Sequence, residues 1–336
     1  MAISLLNTKE YKQSQMALSA IIEDEQSGIV KIYATALKES QAKLKKLYDK
    51  FSKDGILSNS ENTLVAQLRA IEDECAQIIK KASLNVEKTI NEQTQNIYNQ
   101  SFYRHVWSID QNINASINWG LIPEDGVSSA FNSSYKFLAK SKTFKMAQNK
   151  DISKVRDAIS LALVRGDSYQ TLSKRLTAAL GVTDIASGAK RYIGKGAAAW
   201  AMTVSRTEGQ RAIVEGQNIA YQKAKDAGCD ISLFWDATLD NRTRSSHGAL
   251  DGTAKDDEHG GWYVPELGIY VPSPLHSGVA GFDVNCRCRL TPRLNYLGED
   301  AKPTERRIKG EGVKKYKTYN EWVAENTKAS PTSPRI

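Results

Sequence analysis

The sequence predicts a mainly α protein that carries a small α+β module near its C-terminus. Apolar residues recur at helical spacing through most of the first 228 residues. After Gly228 the pattern changes to short alternating runs separated by Pro and Gly, which is typical of strands and loops. No apolar run approaches the roughly 20 residues that cross a bilayer, and the N-terminus does not resemble a signal peptide. We therefore expect a chain that is made and assembled in a cytoplasm.

We divide the chain into four regions by these changes in pattern. They are a long-helix N-terminal region at 1–125, a helical middle domain at 126–228, a small loop-rich α+β module at 229–292 and a basic tail at 293–336. The tail is rich in turn residues, and its last seven residues, 330–336, are expected to be disordered. Within the tail, the aromatic residues Tyr316, Tyr319 and Trp322 are predicted to dock on the rest of the protein.

Heptad spacing predicts a long helical hairpin in the N-terminal region. Apolar residues repeat every seven positions at Val30, Leu37, Leu44 and Phe51. A second stripe follows a short break and comprises Leu64, Leu68, Ile71, Cys75, Ile78 and Ala82. Two long antiparallel helices bury such stripes against each other. Self-association through the same stripes is the alternative.

Further helices and short strands follow along the chain. We predict two short amphipathic helices over 152–165 and 168–180, with Ser168 as the N-cap of the second. A longer helix over 197–227 ends at Gly228, which is a natural C-cap. Short strands are expected at 232–235 and 269–271. The run Cys286 to Leu290 alternates as a strand does, which would put both sulfurs on one face.

Charge is unevenly distributed along the chain. The net charge is +8, which points to a polyanion or an acidic partner. Residues 229–292 contain nine acids against five Lys and Arg, a net charge of −4. The tail from 293 onward has ten Lys and Arg against six acids, so the first 228 residues carry the remaining +8. The basic character therefore belongs to the helices and the tail.

Residues suited to binding a soft metal are concentrated in the α+β module. His247, Cys286 and Cys288 supply three candidate ligands for zinc, and a fourth would come from Asp240, Asp251, His259 or His276. A Cys-x-Cys spacing is less common in structural zinc sites than Cys-x₂-Cys. The alternative is a metal-free core in which buried thiols pack as apolar groups. Cysteines this close do not bridge easily, which favours a reducing compartment.

Arginines and carboxylates of the same module are expected to pair. Arg242, Arg244 and Arg287 lie among Asp236, Asp240, Asp251 and Asp283, and guanidinium forks bind carboxylates with two hydrogen bonds. We predict a buried ion-pair lattice that holds the loops together. Asn285 is expected to satisfy backbone groups in a tight turn. We predict no catalytic residues, although a Cys-His pair or a metal-dependent centre is the enzymatic alternative.

The order of these motifs resembles the phage head morphogenesis family. The string runs from Arg206-Thr207-Glu208 through Trp235-Asp236-Ala237, Asp240-x-Arg242-Thr243-Arg244-x-x-His247, Leu250-Asp251-Gly252 and Asn285-Cys286-Arg287-Cys288. These are minor head proteins of tailed bacteriophages with a Mu F-like C-terminal module. The resemblance covers residues 150–292. The motif residues that carry it, all with an expected structural role, are Arg206, Glu208, Asp240, Arg242, Arg244, Asp251, Asn285 and Arg287.

The resemblance implies a structural minor capsid protein rather than an enzyme. It implies a place in the virion, inside the capsid near the portal vertex, with portal, scaffolding and major capsid proteins as partners. A role in procapsid assembly, DNA packaging or DNA delivery follows from this. The basic helices would contact packaged DNA without reading its sequence. The alternatives are a metal-dependent enzyme acting on nucleic acid or the host cell wall, and a DNA-binding protein ejected with the genome.

Overall fold

The structure, a computed structural model, confirms a mainly α protein with a small α+β part toward the C-terminus. It describes residues 3–53, 56–57, 62–113, 119, 142–180, 197–294, 305–308, 312–315 and 317–326. The segment 330–336 and Tyr316, for which disorder and docking are predicted, lie outside these residues. None of the described helices combines the length and apolar character that crossing a bilayer requires.

The described helices agree in order with the prediction, and several are longer. They are α1 (Lys9–Phe51), α2 (Asn62–Asp110), α3 (Lys142–Arg165), α4 (Tyr169–Leu180), α5 (Ala197–Asp226), α6 (Ser245–Leu250), α7 (Ala280–Asp283) and α8 (Tyr319–Asn326). As predicted, the Ser168 hydroxyl caps α4 by accepting a hydrogen bond from the Thr171 amide at 3.3 Å. Gly228 follows α5 with φ +85°, a conformation that favours glycine.

The described strands are short. They are β1 (Ile3–Ser4), β2 (Ser52–Lys53), β3 (Ile56–Leu57), β4 (Ile231–Asp236), β5 (Trp262–Val264), β6 (Ile269–Val271), β7 (Arg289–Leu294), β8 (Glu305–Ile308) and β9 (Gly312–Lys315). The predicted strands at 232–235 and 269–271 correspond to β4 and β6. The run from Cys286 becomes a strand only at Arg289, so its first three residues precede the ladder.

Backbone contacts divide the chain into two compact units. The first unit comprises Met1–Ile22, Gln93–Ser134 and Arg206–Ile336, and the second comprises Glu23–Glu92 and Tyr135–Ser205. Helices α1, α2 and α5 each supply residues to both units. The four consecutive regions proposed from sequence character stay a prediction.

The second unit contains the predicted antiparallel hairpin. The Tyr33 hydroxyl lies 3.5 Å from the Ser83 hydroxyl, and Lys43 forms an ion pair with Glu74, so α1 and α2 run in opposite directions. Within the heptad stripes, Leu37 and Leu44 of α1 and Leu68, Cys75 and Ala82 of α2 are buried. The apolar residues repeated every seven positions therefore form the buried face of each helix.

The first unit is built on a three-stranded antiparallel sheet in the order β1-β7-β4. Ile3 pairs with Leu294 and Trp235 pairs with Leu290. Strand β1 was not predicted, because two residues carry no periodic signal and its partner lies near the other end of the chain. The sheet shares one hydrophobic core with parts of α1, α2 and α5.

The tail returns to the first unit through α8. The indole of Trp322 donates to Asp110 at 3.2 Å, and the Tyr319 hydroxyl donates to Gln100 at 3.1 Å. Both rings are buried. The docking predicted for these two aromatic residues is therefore confirmed.

Helices α2 and α5 approach each other closely at Gly216. A Cβ atom at this position would lie 2.6 Å from the Ser101 Cβ and 2.8 Å from the Phe102 backbone nitrogen. The Ser101 hydroxyl donates to the Ile213 carbonyl at 2.6 Å across the same crossing. Only glycine fits this position without displacing backbone.

We expect Gly216→Ala to destabilise the protein by about 1–3 kcal/mol, because the added methyl group overpacks the α2–α5 crossing. Thermal unfolding should show a lower melting midpoint. The matched control is Gly28→Ala in α1, where an added Cβ meets nothing within 4 Å. That change should leave stability equal or raise it by up to about 1 kcal/mol through helix propensity. A Gly216→Ala protein that melts at or above the wild type would contradict the close approach.

Candidate functional site

Helix α5 holds the chain segment that contains the two clustered cysteines, residues 285–290, here called the cysteine segment. Arg206 donates to the side-chain oxygen of Asn285 at 2.9 Å, and the Asn285 amide donates to the Thr207 hydroxyl at 3.1 Å. Asn285 has φ +58°, which Asn adopts more readily than most residues. The predicted tight turn at Asn285 is therefore present, but the Asn285 side chain bonds the Arg206 guanidinium and not the backbone groups that the prediction expected.

Two glutamines outside the predicted motif extend this contact. The Gln210 amide donates to the Cys288 carbonyl at 3.3 Å. Gln217 donates to the Leu290 carbonyl at 3.1 Å and accepts from the Leu290 amide at 3.2 Å. Both glutamines are buried and lie seven residues apart, which places them on one face of α5. In the sequence, two polar residues seven positions apart on an otherwise apolar helix face were the signal that could have predicted this contact.

The structure brings His247, Cys286 and Cys288 together. The His247 Nδ1 atom lies 3.3 Å from the Cys288 sulfur and 3.4 Å from the Cys286 sulfur. All three residues are buried, and their donor atoms lie within 4.8 Å of one another. Both sulfurs thus point to the same side, as the alternation predicted, although this part of the chain is not in a strand.

Aromatic rings surround the cluster. The Phe282 ring lies 4.1 Å from the His247 ring between centroids, and Trp235 meets His247 edge to face at 6.1 Å. The Nε2 atom of His247 has no hydrogen-bond partner among the described residues. The imidazole is therefore enclosed by apolar rings on one side and by the two sulfurs on the other.

The two cysteine thiols differ in acidity. A hydrogen bond from the Cys286 thiol lowers the pKa of Cys288, and the neighbouring His247 lowers it further, whereas burial opposes both effects. The same hydrogen bond, together with burial, raises the pKa of Cys286. The first negative charge of the pair therefore forms on Cys288.

The four predicted candidates for a fourth ligand have other partners. Asp240 accepts from Arg287, and the Asp251 carboxylate accepts from the Ala237 amide at 2.8 Å. His259 pairs with Asp256 at 2.8 Å, and the Nε2 atom of His276 lies 3.1 Å from the Glu215 carboxylate. Across the described ranges, a group of His, Cys or acidic residues with metal-binding spacing occurs only at His247, Cys286 and Cys288.

Asp240 and Arg287 form the tightest arginine–carboxylate pair of the module. The Arg287 guanidinium donates to both carboxylate oxygens at 2.6 Å, and Arg242 approaches the same carboxylate at 3.5 Å. The hydrogen bonds from Arg287 hold the pKa of Asp240 well below its usual range. The two side chains of the pair are 27% and 34% exposed, so this is a surface pair.

Arg244 and Asp283 bond mainly with backbone groups instead. Arg244 donates to the Val284 carbonyl at 2.7 Å, and Asp283 accepts from the Ser277 hydroxyl at 2.9 Å and from the Gly278 amide at 3.1 Å. Among the described residues, these arginines and acids therefore do not form one buried lattice. Each instead satisfies groups in a different loop, because short loops expose many backbone amides and carbonyls.

The buried ion pair lies on α5. Glu208 accepts two hydrogen bonds from Arg211 at 2.9 Å each, and the Arg211 Nε atom donates to the Leu275 carbonyl at 3.0 Å. Burial raises the pKa of Glu208, and the Arg211 charge opposes this. Leu275 has φ +63°, so the pair supports a loop in an unfavourable conformation. Glu208 belongs to the predicted motif, whereas Arg211 lies outside it.

Comparisons with known proteins agree with this architecture. A family model described as phage Mu protein F like protein matches residues 153–291, close to the 150–292 that the motifs indicated. The chain is 26% identical over 310 residues to minor head protein GP7 of Bacillus phage SPP1, which is 91% of this chain and 94% of that protein. No solved structure gives a significant match.

A second relative is named for an enzymatic activity. The chain is 25% identical over 334 residues to the NAD(+)–arginine ADP-ribosyltransferase EFV of Enterococcus faecalis. The match covers 99% of this chain but spans 63% of that relative's length. Residues 153–291 therefore match the phage Mu F-like family, and the chain is similar to a phage minor head protein over nearly the whole length of both proteins.

Proposed function

We propose that this protein is a structural minor capsid protein that acts in head morphogenesis at the portal vertex of a tailed bacteriophage. The observation that carries the proposal is the match to a minor head protein over 94% of that protein's length. A match of this extent includes the N-terminal helices as well as the module. The proposed partners are the portal, scaffolding and major capsid proteins, and the proposed location is inside the capsid.

The long helices support a bridging role in an assembly. Helices α1 and α2 have 43 and 49 residues, which corresponds to roughly 65 and 74 Å at 1.5 Å per residue. Their buried stripes leave charged faces exposed along much of each helix, including Lys80 and Lys81. Such faces suit contacts with neighbouring subunits and with nucleic acid.

The charge distribution supports contact with packaged DNA. The first 228 residues carry a net charge of +8, whereas residues 229–292 carry −4. Lysine and arginine side chains bind phosphates without reading base sequence, and this suits DNA that is packed at high density. A role in packaging or delivery is therefore proposed for the helices. In an alternative form of this proposal, the protein is ejected together with the genome, so it acts during delivery and not only during packaging.

The geometry of the module favours a non-catalytic role. His247, Cys286 and Cys288 are each at most 3% exposed, so a polymeric substrate such as DNA or cell wall has no access to them. The enzymatic alternative draws on the relative named as an ADP-ribosyltransferase. The match covers 63% of that protein's length, so the activity in its name is not carried over to this chain. We therefore propose that this chain itself transfers no group.

An asymmetric reconstruction of procapsids from a phage that encodes this protein tests the location. We expect extra density at the portal vertex that disappears when the gene is deleted, because a structural head protein occupies a defined place in the assembly. Equal density at all vertices would contradict the portal association. Heads of normal composition that lack the protein entirely would contradict the structural role itself.

An assay with NAD and an arginine acceptor tests the absence of catalysis. The purified chain should transfer no more ADP-ribose than a protein-free blank, because the buried cluster offers no accessible reacting group. The Enterococcus faecalis relative is the positive control. Transfer that rises with protein concentration and disappears on heating would refute the proposal.

Binding of the full chain to duplex DNA at several salt concentrations tests the electrostatic interaction. We expect affinity to fall steeply with salt. Lys80→Gln combined with Lys81→Gln should reduce the salt slope by about two, roughly one for each phosphate that the variant no longer neutralises. The comparison variant is Arg242→Gln, whose side chain is 76% exposed in the acidic module. If Arg242→Gln reduced the slope more than the lysine changes, the module would be the surface that binds DNA.

A further inference from the structure

We propose that His247, Cys286 and Cys288 bind one thiophilic metal ion of the zinc class, with the His247 Nδ1 atom and both sulfurs as ligands. The Nδ1 atom lies 3.3 and 3.4 Å from the two sulfurs. In a tetrahedral zinc site with usual bond lengths, a nitrogen and a sulfur ligand lie roughly 3.6 Å apart. The two nitrogen–sulfur distances therefore need to change by only a few tenths of an ångström for the three atoms to enclose an ion.

The chemistry of the three donors selects the kind of ion. Two sulfurs and one imidazole form a soft set that favours zinc over magnesium or calcium, which take oxygen ligands. Cys286 and Cys288 are both free thiols, so both are available as ligands. Metal binding would replace the thiol protons with one divalent cation, so that the two buried thiolates would carry no unpaired charge.

The ligands come from separate parts of the fold. His247 lies on α6, whereas both cysteines lie in the extended stretch between α7 and β7. An ion would therefore cross-link α6 to the cysteine segment. The strands of this region have three to six residues, so the module has few ladder hydrogen bonds with which to hold its loops. A metal cross-link would supply stability that so small a sheet lacks.

Three protein ligands with an open fourth position are the pattern of catalytic zinc sites, but the burial of all three ligands favours a structural ion here. Asp240, Asp251, His259 and His276 are engaged with other groups, so a water molecule is the expected fourth ligand. The rings of Trp235 and Phe282 lie against His247 and exclude larger molecules. The ion would thus stabilise the head protein and leave the absence of catalysis unchanged.

Cobalt substitution of the full chain tests the site. Protein made metal-free under reducing conditions should bind one Co²⁺ per chain, with the thiolate-to-cobalt charge-transfer absorption of a tetrahedral sulfur site, and Zn²⁺ should displace it. We expect zinc to raise the melting midpoint, because an ion that binds only the folded state stabilises it. Elemental analysis of protein expressed in zinc-containing medium should find about one zinc per chain.

Matched cysteine variants distinguish a specific metal site from non-specific binding of metal ions to thiols. Cys286→Ser and Cys288→Ser should each weaken Co²⁺ binding at least tenfold and remove the zinc-dependent rise in melting midpoint. Cys75→Ser and Cys229→Ser change buried cysteines outside the cluster, and both variants should bind Co²⁺ as the wild type does. Equal weakening in the two sets of variants would overturn the proposal.

If the cysteine variants of the cluster do not fold, the metal titration of the wild-type chain tests the proposal instead. Folded, reduced wild-type chain that shows no thiolate charge-transfer absorption and no bound ion in native mass spectrometry would overturn the proposal. That result would leave His247 and the thiols as a metal-free buried core. It would not affect the proposed role in head assembly, which is tested by position in the procapsid.

Discussion

The contact between helix α5 and the cysteine segment is the interaction on which the rest of the module depends. Four side chains of one helix, Arg206, Thr207, Gln210 and Gln217, hydrogen-bond Asn285, Cys288 and Leu290. Each bond contributes about 0.5–1.5 kcal/mol, and a buried backbone group left without a partner would cost about 1–3 kcal/mol. The helix thereby determines where the cysteines lie and where β7 begins.

The same helix also contains a buried ion pair. Glu208 and Arg211 satisfy each other, and Arg211 reaches the Leu275 carbonyl of the loop after β6. A buried pair is weak evidence for stability, because desolvation offsets much of the attraction. Removing one partner, however, would leave an uncompensated buried charge. The pair therefore specifies how α5 and this loop fit together more than it adds to the free energy of unfolding.

These contacts explain why a motif so rich in reactive side chains belongs to a structural protein. Arg206 and Asn285 hold a turn, Asp240 and Arg287 form a surface pair, and Arg244 and Asp251 bond backbone groups in loops. Loop-rich modules have many backbone groups outside ladders, and polar side chains are what satisfy them. The spacing of these residues in the sequence thus reflects the need of a small fold to satisfy its loops, and the same spacing lies within the region that matches phage Mu F-like proteins.

The sequence alone predicted the helices, the resemblance to phage head proteins and the three members of the His247, Cys286 and Cys288 cluster, because helical periodicity, caps and motif order are local signals. Heptad spacing predicted the α1–α2 hairpin, and Gly228 predicted the end of α5. Tertiary structure decided the rest. Strand β1 pairs with residues nearly 290 positions away, and Gln210 and Gln217 matter only because α5 lies against the cysteine segment. The arginine–acid lattice failed as a prediction since sequence spacing does not reveal which carboxylate a long side chain meets.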